Sequence, residues 1–465
     1  MTIPMSRILD RFAERTPIPV MMRAILERCL GAESLDRWFD QTADAQYQHE
    51  LMFSSVFEMM TEVVFSEKPS VHTAYRARCR DLGVSARAVY DKLGNLEVAT
   101  SAALVRYAFE QAEELSKEMG GQRQTLLAGW RLKVLDGNCL GAREHRLEQT
   151  RDSRAAVLPG KSLAVFDPQY ELFSDLFPCE DAYTQERALL PAVLETVRAG
   201  ELWLGDRNFC TRQFIETVSD RGGAVLVREH EQLRFTPLEP MRKCGDTKRG
   251  RVREQRVRLG DASETEARVV RRICVDLNEP TRDGDHQIYL LSTVPEDDAS
   301  AVKLAKLYLK RWRIETAFQK LTEELSCEIN TLGYPKAALF GFAVAVVGFN
   351  VLSVLKAALG AVHGRENIEQ NVSSYYLVDE ISSTNEALIR VVDAEDWNIF
   401  RELSLASMAA WLLACAERVS LDRYLKSPRG PKKAAPKPQY DPKRPHISVA
   451  RLLAERDEQR RAQRG

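Results

Sequence analysis

Residues 131–137 read RLKVLDG, and residues 201–208 read ELWLGDRN. Each is a short apolar run that closes on an aspartate beside a glycine, Asp136 in the first and Asp206 in the second. Such runs, bounded by turn residues, are the pattern of strands buried on both faces of a sheet. In an open α/β sheet, sites gather beyond the carboxyl ends of the strands, so parallel neighbours would bring both acids to one edge. Read alone, an aspartate before glycine is an ordinary turn former; the repetition is what points to a site.

The surrounding text predicts the rest of that layer. AREHRLEQT (142–150), SLAVFD (162–167) and ELFSDLF (171–177) are expected as strands, followed by a helical run over about 184–198. After the second aspartate, TRQFIETVSDR (211–221) predicts a helix and AVLVRE (224–229) a strand. Strands and helices in this order make a mixed sheet whose later crossovers suit parallel neighbours. His145 is tempting as a base, but a lone strand histidine is more often structural.

Between 229 and 296 the helical period disappears, and RVREQRVRLG, ARVVRRICVDL and QIYLLSTV alternate like strands of an inserted β-rich subdomain. Its segment Met241–Gly260 carries eight Lys or Arg against two acids, which is either a basic nucleic-acid surface or a solvated hairpin. A long helix is then expected over 300–325, holding YLKRWRIETAFQKL. Tyr308, Arg311 and Glu315 stand at i, i+3 and i+7, one face of a helix, while Trp312 and Ile314 point to the core. The bland alternative for Arg311 and Glu315 is a surface i,i+4 pair.

Further out, residues 1–125 show helical periodicity in RAILERCLGAESLDRWFD, ELMFSSVFEMMTEVVF and SAALVRYAFEQAEELSKEM. Within them, SARAVYDKLGNL (85–96) reads as a helix-turn-helix-like element facing DNA or as plain packing. Residues 337–355 are apolar enough to mimic a membrane span, but Asn350, Ser353 and the Ala and Gly content predict a buried helix and no membrane partner. The stretch 426–446 is basic and Pro-rich, hence expected to be extended.

Composition sets the class. A chain of 465 residues implies roughly three domains of about 150 each. A hydrophobic share of 44% and a charged share of 29% are those of a soluble globular protein. The net charge of -1 excludes a uniformly basic surface but not local basic patches. Nine scattered cysteines without CxxC spacing suggest neither a disulfide framework nor a zinc finger, and a reducing cytoplasm follows. The charged opening MTIPMSRILDRFAER predicts no export signal.

A strand aspartate, a later strand aspartate and a glutamate on a following helix resemble the ribonuclease H-like catalytic core of DDE transposases. Tyr308, Arg311 and Glu315 match the Tyr-x2-Arg-x3-Glu part of the signature of insertion-sequence family four, the branch that includes transposon Tn-five. VLDGN, LWLGDRNF and YLKRWRIE stand in the family's order, and the similarity spans roughly residues 85 to 450. Two departures stand out. The signature's final lysine falls on Thr322, with Lys320 nearby but facing elsewhere, and no Trp lies between Asp206 and Arg311, which leaves Phe235 or Tyr289 as candidate base-holding aromatics.

The resemblance implies an α/β fold: a ribonuclease H-like core with mixed sheet at 126–333, its β-rich insertion at 229–296, a helical N-terminal domain at 1–125, possible contact with DNA included, a helical, dimerising C-terminal region at 334–425, and a basic tail at 426–465. It implies Asp136, Asp206 and Glu315 as catalytic ligands of two Mg²⁺ ions, with Mn²⁺ as a substitute, since oxygen donors suit hard cations. Tyr308 and Arg311 would contact terminal phosphates. The implied activity is cut-and-paste transposition: hydrolysis at the transposon end, a hairpin step, then attack on target DNA, by a homodimer holding double-stranded ends in the bacterial cytoplasm at the nucleoid. A ribonuclease H-like structure-selective nuclease and a catalytically inactive, transposase-derived DNA-binding protein are the alternatives; a glycosidase would use an acid pair but leaves the Tyr-Arg-Glu helix unexplained.

Overall fold

Alternate residues of the apolar runs face two different cores. In the computed structural model, Leu132, Val134, Leu202, Leu204, Ala224 and Leu226 pack into one core, and Leu135, Trp203, Val225 and Val227 into the other. That period of two, apolar on both sides, is what makes these segments central strands. The structure describes residues 5–46, 48–142, 147–152, 155–261, 263–264, 266–281, 284–329, 331–427 and 445–463, without the side chains at 142, 310 and 312. His145 and most of the basic 426–446 stretch lie outside them.

The protein is a mixed α/β structure around one mixed sheet, which has 11 strands among the described residues. The strands are β1 (Arg131–Ala142), β2 (Val157–Asp167), β3 (Leu172–Cys179), β4 (Glu201–Gly205), β5 (Ala224–Arg228), β6 (Phe235–Pro237), β7 (Arg242–Thr247), β8 (Gly250–Leu259), β9 (Val269–Leu277), β10 (Gln287–Ser292) and β11 (Ile447–Ser448). The path runs β11-β2-β1-β4-β5-β10-β9-β8-β6, with β3 also on β2 and β7 also on β8. β1, β2 and β3 are antiparallel, β1, β4 and β5 are parallel, and β10 returns antiparallel to β5. The strands of 229–296 therefore extend the central sheet rather than form a sheet of their own.

Helices cover both faces. On one side lie Leu190–Glu195 and Arg212–Asp220, through Val193, Phe214, Ile215 and Val218. On the other lie Val98–Glu118 and the 29-residue helix Pro335–His363. The latter is long and apolar enough to cross a bilayer, but 89% of its most apolar window is buried inside the protein. Its Asn350 is fully buried: Oδ1 accepts from the Phe173 amide at 2.8 Å and Nδ2 donates to the Phe173 carbonyl at 2.9 Å. In the N-terminal part, the helices Val71–Leu82 and Ala86–Asn95 are joined by a short turn in which Gly83 takes the left-handed conformation and Ser85 caps the second helix.

Three expectations are corrected. No strand occupies the described part of 142–150; residues 148–150 form a 3-10 turn. Leu147 is the one apolar residue between 143 and 150, so nothing alternates there, and β2 is the partner of β1 instead. Asp136 does not close its strand, because pairing with β2 carries β1 on to Ala142. The helix expected over 300–325 is split into Ala301–Tyr308 and Trp312–Glu324 by a 3-10 turn at Leu309–Arg311.

Candidate active site

Parallel pairing of β1 with β4 ends at Val134 and Leu204. Two residues further along stand Asp136 and Asp206, so the register sets them side by side where the two strands part. β4 stops because Asp206 turns to cap the 3-10 turn Arg207–Phe209, its Oδ1 accepting from the Asn208 amide at 2.7 Å, while Phe209 is buried beneath. β1 continues, held by β2 alone, and this leaves the Asp136 carboxylate facing an open edge. Its Oδ1 accepts from the Gly137 amide at 2.9 Å.

Across that edge comes Arg311. Its guanidinium donates to Asp136 Oδ2 at 3.0 Å and to Glu315 Oε1 at 2.6 Å, and its Nε is buried without a partner. The i,i+4 spacing of Arg311 and Glu315 survives the 3-10 turn, but the arginine serves both carboxylates and is no simple surface pair. Burial pushes the Asp136 carboxyl up to about 6; Arg311 and the Gly137 amide oppose this, while Asp206 and Glu315 add to it. Burial also pushes the Tyr308 phenol up to about 12, with Arg311, Asp206 and Arg228 within electrostatic reach. The five residues singled out from the sequence thus surround one point, with Asp136, Arg311 and Glu315 in direct contact.

Among the described residues, no three acid, His or Cys side chains converge as a metal ion would require. Arg311 provides the positive charge between Asp136 and Glu315. The donor set itself, three carboxylates with one half-buried and held above its usual range, is suited in kind to a hard divalent cation.

Sequence reasoning missed Glu186. Its Oε2 accepts from Asn208 Nδ2 at 3.2 Å, and Arg187 Nε donates to the Asn208 carbonyl at 2.7 Å, so the turn at Glu186–Leu189 is latched to the turn after Asp206. A Cβ on Gly137 would lie 2.1 Å from Glu186 Oε1. A fourth carboxylate therefore lies against the residue after Asp136, and the absent side chain at Gly137 was the only signal of it. Other candidates are engaged elsewhere. Arg272 packs between Phe235 and Tyr289, 4.9 and 4.0 Å from their ring centroids, and is locked by two bonds to Glu229. Thr322 Oγ1 donates to the Phe318 carbonyl of its own helix. In the basic segment, Arg242 pairs with Glu296, Arg253 with Asp276 and Arg256 with Glu239, which leaves Lys248, Arg249 and Arg251 as its exposed cations without ion pairs.

None of the curated proteins compared with the chain matches it. Among solved structures it is similar to the piggyBac transposase synaptic complex with hairpin DNA, seen by cryo-electron microscopy, at 10% identity and a TM-score of 0.40, over 85% of this chain and 86% of that one. Residues 132–332, less than half of the chain but with all five site residues inside, match the family described as the transposase DDE domain.

Proposed function

We propose that the chain is a DNA transposase that cleaves transposon ends and joins them to target DNA. The observation that carries this reading is the chain of contacts Asp136–Arg311–Glu315 with Asp206 beside it, inside the segment matching a transposase DDE domain. The strand order β3-β2-β1-β4-β5, antiparallel then parallel, supports a ribonuclease H-like core. The Tyr308, Arg311 and Glu315 spacing supports a place in insertion-sequence family four.

In this reading Asp136, Asp206 and Glu315 hold two Mg²⁺ or Mn²⁺ ions, which supply an activated water and stabilise the leaving oxygen in phosphodiester displacement. Arg311 contributes a permanent, planar charge whose unpaired Nε suits a phosphate oxygen, and Tyr308 presents its hydroxyl at the same edge. Glu186 fixes the turn that carries Asp206. The helix pair 71–95 and the exposed cations Lys248, Arg249 and Arg251 are the surfaces offered to double-stranded DNA. Two copies would pair two ends through the helical region 334–425, in the bacterial cytoplasm at the nucleoid.

The test incubates the purified chain with Mg²⁺ and a labelled duplex carrying the element's end, and resolves nicked and joined strands on a denaturing gel. Glu315→Gln is expected to lower product formation by about a hundredfold or more, the scale of losing one electrostatic contributor to a transition state. Nicks without joined strands would leave a structure-selective nuclease. Binding without any product would favour a non-catalytic DNA-binding derivative, a reading for which the neutralisation of Asp136 and Glu315 by Arg311 already speaks.

A further inference from the structure

A second charged centre lies behind the helix Trp312–Glu324, and the proposed reaction does not use it. Arg313, Lys320 and Glu324 share a helical face at i, i+7 and i+11, rotated away from Glu315. Opposite them stand Glu171, which follows β2 in a left-handed conformation with φ 57°, and Lys356 of the long apolar helix.

The cations here are mostly satisfied by neutral oxygens. Lys356 Nζ contacts Ser374 Oγ at 3.3 Å, Arg313 donates to the Pro168 carbonyl at 3.4 Å, Arg365 to the Gly121 carbonyl, and Lys426 to the carbonyls of Glu369 and Gln370 at 2.6 and 3.0 Å. Only Arg123 is held by carboxylates, those of Glu171 at 2.6 Å and Glu369 at 2.5 Å. With Glu324, three acids face six cations. The ammonium groups of Lys320 and Lys356 also lie within hydrogen-bonding reach of each other, a contact between like charges that costs energy unless an anion accompanies it.

The electrostatics agree. Burial pulls Lys356 down to about 8, and Lys320 pulls it further. Arg313 and Arg365 are lowered by burial and then by Arg123, and Lys426 by burial and then by Lys320. Glu171 is held down at about 2: burial opposes its charge, but Arg123, Lys356 and Lys320 outweigh it.

We propose that Lys320, Lys356 and Arg313 form a binding site for a phosphate group, separate from the carboxylate edge. A phosphate brings more than one negative charge and several acceptor oxygens, which matches an excess of positive charge spread over ammonium and guanidinium donors. The site stands whether or not the chain cuts DNA, because it rests on none of the residues assigned to the reaction. Its ligand is either a backbone phosphate of nucleic acid or a free phosphate anion.

Thermal unfolding of the full chain at pH 7.5, in sodium phosphate and in sodium chloride of equal ionic strength, tests it. Phosphate is expected to raise the Tm of the natural chain by several degrees, since a ligand that binds only the folded state stabilises it. Lys320→Met and Lys356→Met are expected to melt no lower than the natural chain in chloride, because a repelling cation is gone, and to lose most of the phosphate response. Should the more buried Lys356→Met fail to fold, Lys320→Met alone decides. Equal Tm in the two salts for the natural chain, or an undiminished response in the variants, overturns the site. With a short duplex of arbitrary sequence bound, loss of the phosphate response identifies a DNA backbone phosphate as the ligand, and an unchanged response identifies a free anion.

Discussion

Asp167 and Asp136 lie on adjacent antiparallel strands, at opposite ends of the sheet, and they are treated in opposite ways. Asp167 is fully buried, yet its Oδ2 takes Arg131 at 2.6 Å and Lys133 at 3.4 Å, and its Oδ1 takes the Gln169 amide at 2.9 Å. Asp136 is less buried and shares a single arginine with Glu315, while Asp206 pushes against it. A carboxylate given two cations and an amide is a finished piece of architecture. One left short of positive charge, at a strand edge facing an arginine with an idle nitrogen, is a site waiting for a partner.

The contrast can be broken. Asp167→Asn removes the shared acceptor of two buried cations and is expected to cost about 3–5 kcal/mol, read as a lower urea midpoint. A loss under about 1 kcal/mol would mean the two ends do not differ in kind. Mg²⁺ should do the opposite at the other end: at about a hundredfold excess over Kd it should stabilise the natural chain by about 2.7 kcal/mol. Asp136→Asn should not respond, and an equal response in both would remove Asp136 from the ion's ligands.

Asp136→Asn also tests the pH dependence. Because the folded-state value of Asp136 is raised from 3.8 to about 6, its stabilising contribution is full below about pH 4 and is lost as pH rises through 6. At pH 7 and without metal, the asparagine variant should therefore unfold about 1–2 kcal/mol later than the natural chain, after discounting for solvent screening, with the gap closing by pH 4. A variant less stable at pH 7 would show that Arg311 already satisfies the carboxylate. The smallest effect belongs to Gly137→Ala. Its methyl would displace the flexible end of Glu186, at a cost of about 1 kcal/mol, and a double-mutant cycle with Glu186→Ala should return most of it.

What the sequence made legible was whatever local pattern decides. The apolar runs of β1, β4 and β5, with an aspartate two residues past the last paired position in β1 and β4, could be read directly, as could the spacing of Tyr308, Arg311 and Glu315. The continuation of β1 past Asp136 could not, because NCLGA becomes a strand only through pairing with β2. The 3-10 turn at Leu309–Arg311 leaves no mark in a periodicity that stays apolar through it. Glu186 reaches the site through the turn it shares with Asn208, a tertiary contact with no sequence spacing of its own. Charge was the most misleading signal. The basic run 241–260 stands out in the sequence, but acids from neighbouring strands and loops neutralise much of it, whereas the unbalanced cluster behind the catalytic helix is assembled from cations scattered between Arg123 and Lys426.

Asn350 gives the long apolar helix an unusual part in assembly. Its amide group meets the main-chain N–H and C=O of Phe173 on the side of β3 that no strand covers, beside the irregular step where Val165 pairs with Asp175 and Phe166 with Phe173. If the hairpin of β2 and β3 slipped by one residue, the side chains of β3 would swap faces and the amide would be sealed into hydrocarbon with neither partner. The helix can then dock only on a correctly aligned hairpin. A single polar atom pair thus works as a proofreader, rejecting misaligned chains before the helix closes over the strands that carry Asp136.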